Sequence, residues 1–336
     1  MMSDAQTVAR ACTLIEQWIG ITLRGAAPHR LREFLERRAQ ALGYPSAEGY
    51  LREIERLSIS DPEPRQLVNL VTNGLTTFWR DPPQLDALRV ALLGLSKRYK
   101  RQLTIWCAGC STGEEAYTVS MICKESGIDA AILGSDINTE FLNHAQSAIY
   151  SPWSLRRLDE ARQRRWFDTR EGGLFSIRQE LLENLYFRQH NLLATPPLSP
   201  SGEGWDVVMC RNVLIYFRED ALYEVLNHFA GAMAPHGYLM FGSSEQLTAR
   251  LSRRFGPLPF RATRHGEGFV YRLSTTPPGS TAFNLLALPR REELEEFESH
   301  THTHTTSTRR IRRRKKDETP AANKTTWWVA VAFWAW

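Results

Sequence analysis

The sequence predicts an α/β protein built on a mostly parallel sheet, preceded by a smaller helical region. Three observations carry that prediction. From about residue 102, short apolar runs alternate with amphipathic stretches, as parallel strands and their crossover helices do. The first apolar run, Leu103–Trp106, passes into a glycine loop (Gly109, Gly113) that opens a helix. The second run ends in an acid, Asp136, about twenty residues beyond that loop.

Residues 3–70 read as helices. Leu31, Phe34 and Leu35, then Leu51, Ile54 and Leu57, recur at helical spacing with Arg and Glu between them. Gly43-Tyr44-Pro45 breaks the run, and Ser46 is placed to cap the next helix. A helical domain over 1–75 is expected. The second domain, 76–273, holds the alternating pattern. Its strands are Leu103–Trp106, Ala131–Leu133, Trp205–Met209 and Tyr238–Phe241, with Phe269–Leu273 closing the sheet. Its helices run through Glu115–Lys124, Thr139–Ile149 and Asp220–Met233. The segment 166–188 interrupts the rhythm: Gly172-Gly173 followed by alternating Leu174, Ser176 and Arg178 suggests a small β insertion. After Leu273 come a Thr/Pro/Gly linker, an acidic run, a His/Thr tract, a basic run and a Trp-rich end. That composition predicts a linker and a disordered low-complexity tail over 274–336.

At 336 residues, 42% hydrophobic and 24% charged, the chain has ordinary globular composition. Its start lacks the basic-then-apolar pattern of a secretory signal, and no apolar run is long enough for a transmembrane helix. A cytoplasmic monomer is expected. The formal charge is +5, but residues 274–336 hold ten Lys and Arg against seven Asp and Glu, so the excess elsewhere is small. Nucleic-acid binding is not indicated. Five scattered cysteines do not form a disulfide framework. Cys107 and Cys110 have metal-like spacing but no second Cys or His pair nearby, so no metal site is expected.

The glycine loop is where chemistry enters. It is not G-x-G-x-x-G, and two acids, Glu114 and Glu115, follow it directly. Negative charge at a helix N-terminus repels a pyrophosphate and suits a cofactor carrying an amino group and a sulfonium. Asp136, at the tip of the second strand of a Rossmann-like sheet, is placed to accept hydrogen bonds from ribose hydroxyls.

Six ordered segments extend this pattern: Thr76-Thr-Phe-Trp-Arg80-Asp, Ser111-Thr-Gly-Glu-Glu115-Ala-Tyr, Gly134-Ser-Asp136-Ile, Asn191-Leu192-Leu, Cys210-Arg211-Asn212-Val-Leu-Ile-Tyr216-Phe and Gly242-Ser-Ser-Glu245. Through them the sequence resembles the CheR family of chemoreceptor methyltransferases over roughly residues 10–273. The resemblance implies S-adenosylmethionine as methyl donor and glutamate side chains on receptor methylation helices as acceptors. It implies that Thr76 and Arg80 contact the methionine end, with Arg80 near the methyl. Glu115 would pair with the amino group, Asp136 with the ribose, and Asn191 and Leu192 with the adenine. Arg211 and Asn212 would line the floor, and Tyr216 would face the reacting centre beside Arg80.

Blander readings stand beside these. Arg80 and Asp136 could be surface residues, Leu192 plain core, and Tyr216 a buried aromatic with a satisfied hydroxyl. Glu245 reads as a turn acid outside the site. Two departures qualify the match. The family often has Asn where this chain has Gly74, and neighbouring Asn73 cannot be assumed to replace it. The insertion loop, Asp168–Gly173, is short, which resembles members that dock without a receptor C-terminal pentapeptide. The expected recognition surface is the basic second helix, with Arg24, Arg30, Arg32, Arg37 and Arg38, although Glu33 and Glu36 could simply partner those arginines. The rivals are a methyltransferase with another substrate and a regulator that binds the cofactor without catalysis.

Overall fold

The computed structural model describes residues 3–243, 245 and 258–274. The expected tail beyond Ser274 lies outside the described residues. Four helices open the chain: α1 Asp4–Ile19, α2 Ala27–Ala41, α3 Ala47–Ile54 and α4 Pro62–Val71. Local chemistry sets their starts. Ser3 and Gln6 form a reciprocal capping box on α1, and the Ser46 hydroxyl accepts the Gly49 N–H. Pro28 and Pro62 occupy first-turn positions where no N–H is needed. The inward faces share a cluster of their own, including Ile15, Leu31, Leu35, Tyr50, Leu51 and Leu67. Leu57 does not join it. It falls in a turn beyond α3 and is 41% exposed.

The remaining helices are α5 Pro82–Tyr99, α6 Glu114–Glu125, α7 Thr139–Ser147, α8 Pro152–Leu155, α9 Glu160–Trp166 and α10 Glu219–Ala232. The strands, in chain order, are β1 Leu103–Ala108, β2 Ala130–Asp136, β3 Ile149–Tyr150, β4 Phe167–Thr169, β5 Phe175–Ile177, β6 Leu185–Gln189, β7 Trp205–Met209, β8 Met233–Met240, β9 Phe260–His265 and β10 Gly268–Leu273. Seven of the described strands form one sheet, in the order β6-β2-β1-β7-β8-β10-β9. From β6 to β8 every pairing is parallel, and the β9–β10 hairpin closes it antiparallel. Every residue of β1 and β7 is buried, as expected for strands covered on both faces. The fold is Rossmann-like α/β, as the alternating pattern predicts.

The segment 166–188 divides. β4 and β5 join β3 in a small antiparallel sheet, whereas β6 pairs with β2 in the main one. The helix expected through Thr139–Ile149 is shorter: α7 stops at Ser147 and Ala148 turns left-handed, with φ 53°. Ile149 therefore leaves the helix and enters the small sheet.

Chain order reverses between β1 and β7. The chain runs outward through β2 and β6, then returns to the other side of β1. Ligands of open α/β sheets bind at that reversal, outside the carboxyl ends of the strands. At the opposite end, the wholly buried Asp206 grips Arg101 with both oxygens and accepts the Thr104 N–H at 2.8 Å, tying β1 to β7. On the closing side, buried Gln84 of α5 donates to Phe241 O and accepts from Phe269 N, both at 2.7 Å.

Candidate active site

A cavity of about 770 Å³ lies at the reversal, within the usual size range of small-molecule sites. Loops after β1, β2, β6 and β7 form its floor, and the segments joining α1 to α2 and α4 to α5 form its walls. All nine residues singled out in the sequence line it: Thr76, Arg80, Glu115, Asp136, Asn191, Leu192, Arg211, Asn212 and Tyr216.

The loop after β1 is held by its neighbours. Gly109 (φ 79°) permits the turn and leaves room for Val213, which a Cβ there would meet at 2.6 Å. The N–H groups of Gly109 and Cys110 both donate to Ser135 O. Ser111, itself left-handed at φ 52°, donates its N–H to Asp136 Oδ2 at 2.8 Å. The other oxygen of Asp136 accepts from Asn138 N at 2.9 Å. Burial pushes the Asp136 carboxyl up, while these backbone donors pull it down. Burial also pushes up the Cys107 and Cys110 thiols, which keeps them protonated.

Arg211 is the electrostatic hub. Its side chain is 3% exposed, and its Nη atoms donate to Glu115 Oε2 at 3.2 Å and Arg80 O at 2.6 Å, with Asp81 at 3.8 Å. Glu115 Oε1 is buried and has no hydrogen-bond partner among the described residues. Burial raises the Glu115 pKa, and Arg211 opposes the shift. A buried carboxylate oxygen in need of a donor fits a cationic amino group. Asp136 adds a second acid to the same cavity.

Three residues have settings that the sequence left open. The Asn191 side chain is already committed: its Nδ2 donates to Trp18 O at 2.7 Å and its Oδ1 accepts from Leu193 N. It ties the helical region to the sheet, which leaves its backbone for a ligand. Tyr216 is not buried. It is 41% exposed, and its hydroxyl accepts from Asn73 Nδ2 at 3.2 Å. Asn73 thus reaches the site through Tyr216. Leu192 both lines the cavity and packs in the core beside Trp106 and Phe229.

Gly74 has a structural cause. A Cβ there would come within 2.6 Å of the Phe141 ring, so an asparagine cannot be seated while Phe141 holds its place. The Gly74 carbonyl accepts from Ser111 Oγ at 3.1 Å, linking the wall to the glycine loop. Arg80 donates to Leu75 O at 3.0 Å, between two left-handed residues, Trp79 (φ 54°) and Asp81 (φ 63°). Strained backbone of this kind persists where packing over-determines it. Here Arg162 stacks on Trp79, with Cζ 3.8 Å from the ring centre, and Asp81 Oδ2 accepts from Ser243 N.

Sequence reasoning set Glu245 aside, and the structure shows what it does. Its carboxylate accepts from the N–H groups of Gly242, Asn212, Val213 and Leu214, and so shapes the loop after β7 without lining the cavity. Asn212 is held left-handed at φ 59° by that clasp. The match Gly242-Ser-Ser-Glu245 was the available signal.

The expected basic face is only partly open. Arg38 is drawn inward to Glu63, which also accepts the Tyr50 hydroxyl. Arg32 and Arg37 are exposed, and Arg24 and Arg30 line the cavity. Glu33 pairs with His29 at 3.8 Å, and Arg37 takes only its backbone carbonyl. No helix among the described residues is long and apolar enough to cross a membrane.

Comparison with known proteins agrees with this geometry. Residues 74–263 match the family described as CheR methyltransferase, SAM binding domain. The chain is 33% identical to the chemotaxis protein methyltransferase of Escherichia coli K12 over 261 residues, covering 76% of this chain and 88% of that one. It is 28% identical to chemotaxis protein methyltransferase 1 of Vibrio cholerae O1 over 270 residues, covering 78% and 94%. The acid pair, the loops that carry it and the extent of these matches lead to one conclusion: the chain belongs to the CheR family of chemotaxis methyltransferases, with S-adenosylmethionine as its methyl donor.

Proposed function

We propose that this protein esterifies glutamate side chains on the methylation helices of chemoreceptors, with Arg80 and Tyr216 at the reacting centre. The observation that carries the reading is the pairing of Arg80 with an Arg211–Glu115 hub in one cavity: a fixed cation for an acidic acceptor beside a buried acid for a cationic donor. Thr76, Glu115, Asp136, Asn191, Leu192, Arg211 and Asn212 hold the cofactor in this scheme, which supplies an electrophilic methyl on a sulfonium.

A glutamate carboxylate is already ionised near neutrality, so no strong general base is needed. The protein's work is alignment and exclusion of water. Arg80 orients the carboxylate with a planar fork, and its own backbone carbonyl is fixed by Arg211, so cofactor end and acceptor end share one frame. Tyr216 stands at the open side, braced by Asn73. Arg24 and Arg30 at the cavity, with exposed Arg32 and Arg37 beyond them on α2, make the face that meets acidic receptor helices. The small sheet carries only a short turn, Glu171–Gly173, between β4 and β5, which supports docking without a receptor C-terminal pentapeptide. The helical region, the sheet domain with its small β insertion, and a monomeric state complete the proposal.

The test is transfer of labelled methyl from S-adenosylmethionine to membranes bearing a chemoreceptor from the same genome. Base-labile label on the receptor is expected. Base-stable label, or none, overturns the reading in favour of another acceptor or a non-catalytic regulator.

A further inference from the structure

The arginines between 156 and 178 divide into two groups. Arg162 is bound to Glu125 and Asp159, Arg164 to Glu160, Arg165 to Glu180 and Arg178 to Asp168, while Arg170 bonds Ser176. Arg156 and Arg157 are exposed and have no carboxylate partner among the described residues. Arg156 instead sits over the Trp153 ring, its Cζ 3.3 Å from the ring centre, and Nη1 donates to Trp153 O at 2.6 Å. Trp153 is itself 50% exposed. The ring contact and the Nη1 bond restrain the guanidinium, and its Nε and Nη2 donors form the edge that can receive a carboxylate in bidentate fashion.

The position of this pair gives it meaning. Helix α8 is pinned to the Arg80 segment: Phe78 N donates to Ser154 O at 3.1 Å, and Ser154 Oγ donates to Glu114 Oε1 at 3.1 Å. Arg80 is two residues from Phe78, and Arg156 is two from Ser154. Desolvation, then the charges of Arg157 and Arg80, hold the Arg156 guanidinium below its usual range, with Glu114 opposing them. Arg80, Arg156 and Arg157, none in a salt bridge among the described residues, thus stand close enough to act on one another beside the Arg80 segment. Exposed Trp and Arg are also the residue types that dominate binding energy at protein interfaces.

We propose that Trp153 and Arg156 form a docking contact for the acidic protein segment that presents the methyl-accepting glutamate. Arg156 receives a second carboxylate of that segment while Arg80 orients the first, and Trp153 supplies apolar contact beneath it. The proposal rests on the acidic-receptor reading given above.

The test uses the full chain with receptor membranes and labelled S-adenosylmethionine, alongside calorimetry with S-adenosylhomocysteine. In Arg156→Glu the KM for receptor should rise roughly 10-fold and lose much of its salt dependence, with the affinity for S-adenosylhomocysteine unchanged. Arg156→Lys keeps the charge and loses the planar stack, so an intermediate KM is expected. Trp153→Ala should raise KM with little change in kcat. Ester formation by the unsubstituted protein together with an unchanged KM in Arg156→Glu overturns the contact alone. Absence of receptor ester from the unsubstituted protein overturns the functional reading and the contact with it.

Discussion

Arg80 and Glu115 show how much one side chain at the site is asked to do. In the proposed function Arg80→Ala removes the cation that orients the acceptor, and turnover should fall by about 100-fold or more in the methyl-transfer assay. Near-normal turnover would take Arg80 out of the mechanism. Glu115 has a pH signature. Burial raises its pKa above the ordinary 4.5, so it takes up a proton at a higher pH than a free glutamate does. Once protonated it no longer pairs with an ammonium group, so affinity for S-adenosylhomocysteine should fall as pH drops through that raised value. The stability effect has the opposite sense. Asp136, Glu114 and Glu245 are raised by burial too, so the folded protein holds protons that the unfolded chain has already released. Their contribution to stability therefore weakens as pH rises through that window. Calorimetry from pH 4.5 to 7.5 checks the first expectation, and thermal melts over the same range check the second. Sequence alone placed both residues in the site. What the sequence does not show is the setting of Glu115: Arg211, 96 residues away but on the loop after the neighbouring strand, takes Oε2, and Oε1 is left without a partner among the described residues.

The loops between elements carry the site, and their shapes depend on contacts far away in sequence. Glu245 clasps four backbone N–H groups around the loop after β7. Glu245→Ala leaves them buried without an acceptor and should cost about 3 kcal/mol in urea unfolding, with cofactor affinity lost alongside. Gly74 is read in the sequence as a departure from the family pattern. The structure pairs it with Phe141 across the cavity wall. Gly74→Asn should weaken binding of S-adenosylhomocysteine about 10-fold by displacing that ring, and adding Phe141→Ala should restore much of it. If the double variant binds no better than the single one, crowding by Phe141 is not the reason for the glycine. The strands themselves were legible because burial on both faces demands unbroken apolar runs. Their partners were not: most of β6 fell inside the segment expected as an insertion, and only pairing with β2 identifies it as an edge of the main sheet.

At the scale of the whole molecule, the helical region and the sheet meet through the segment after α1. Trp18 O accepts from Asn191, Gly20 O from Arg218 N, and Thr22 N donates to Tyr216 O, so one cavity wall is supplied by residues remote in sequence from the floor. In the proposed function the basic residues of that wall and of α2 act on the acceptor through charge at an exposed surface. Raising ionic strength should therefore increase KM for the receptor several-fold between roughly 50 and 300 mM salt, with S-adenosylhomocysteine affinity nearly constant. Equal salt sensitivity of both would argue against a separate recognition face. The alternating strands, the acidic glycine loop, the strand-end Asp136 and the six ordered segments were determined by the sequence, because periodicity and local spacing encode which elements form and which chemistry their ends carry. Tertiary structure decided that Arg38 turns inward to Glu63, that Asn191 serves the helices, that Tyr216 is braced by Asn73 and that Glu245 shapes a loop. Each is a contact between residues far apart along the chain, and hydrogen bonding and burial select such partners only once the fold has brought them together.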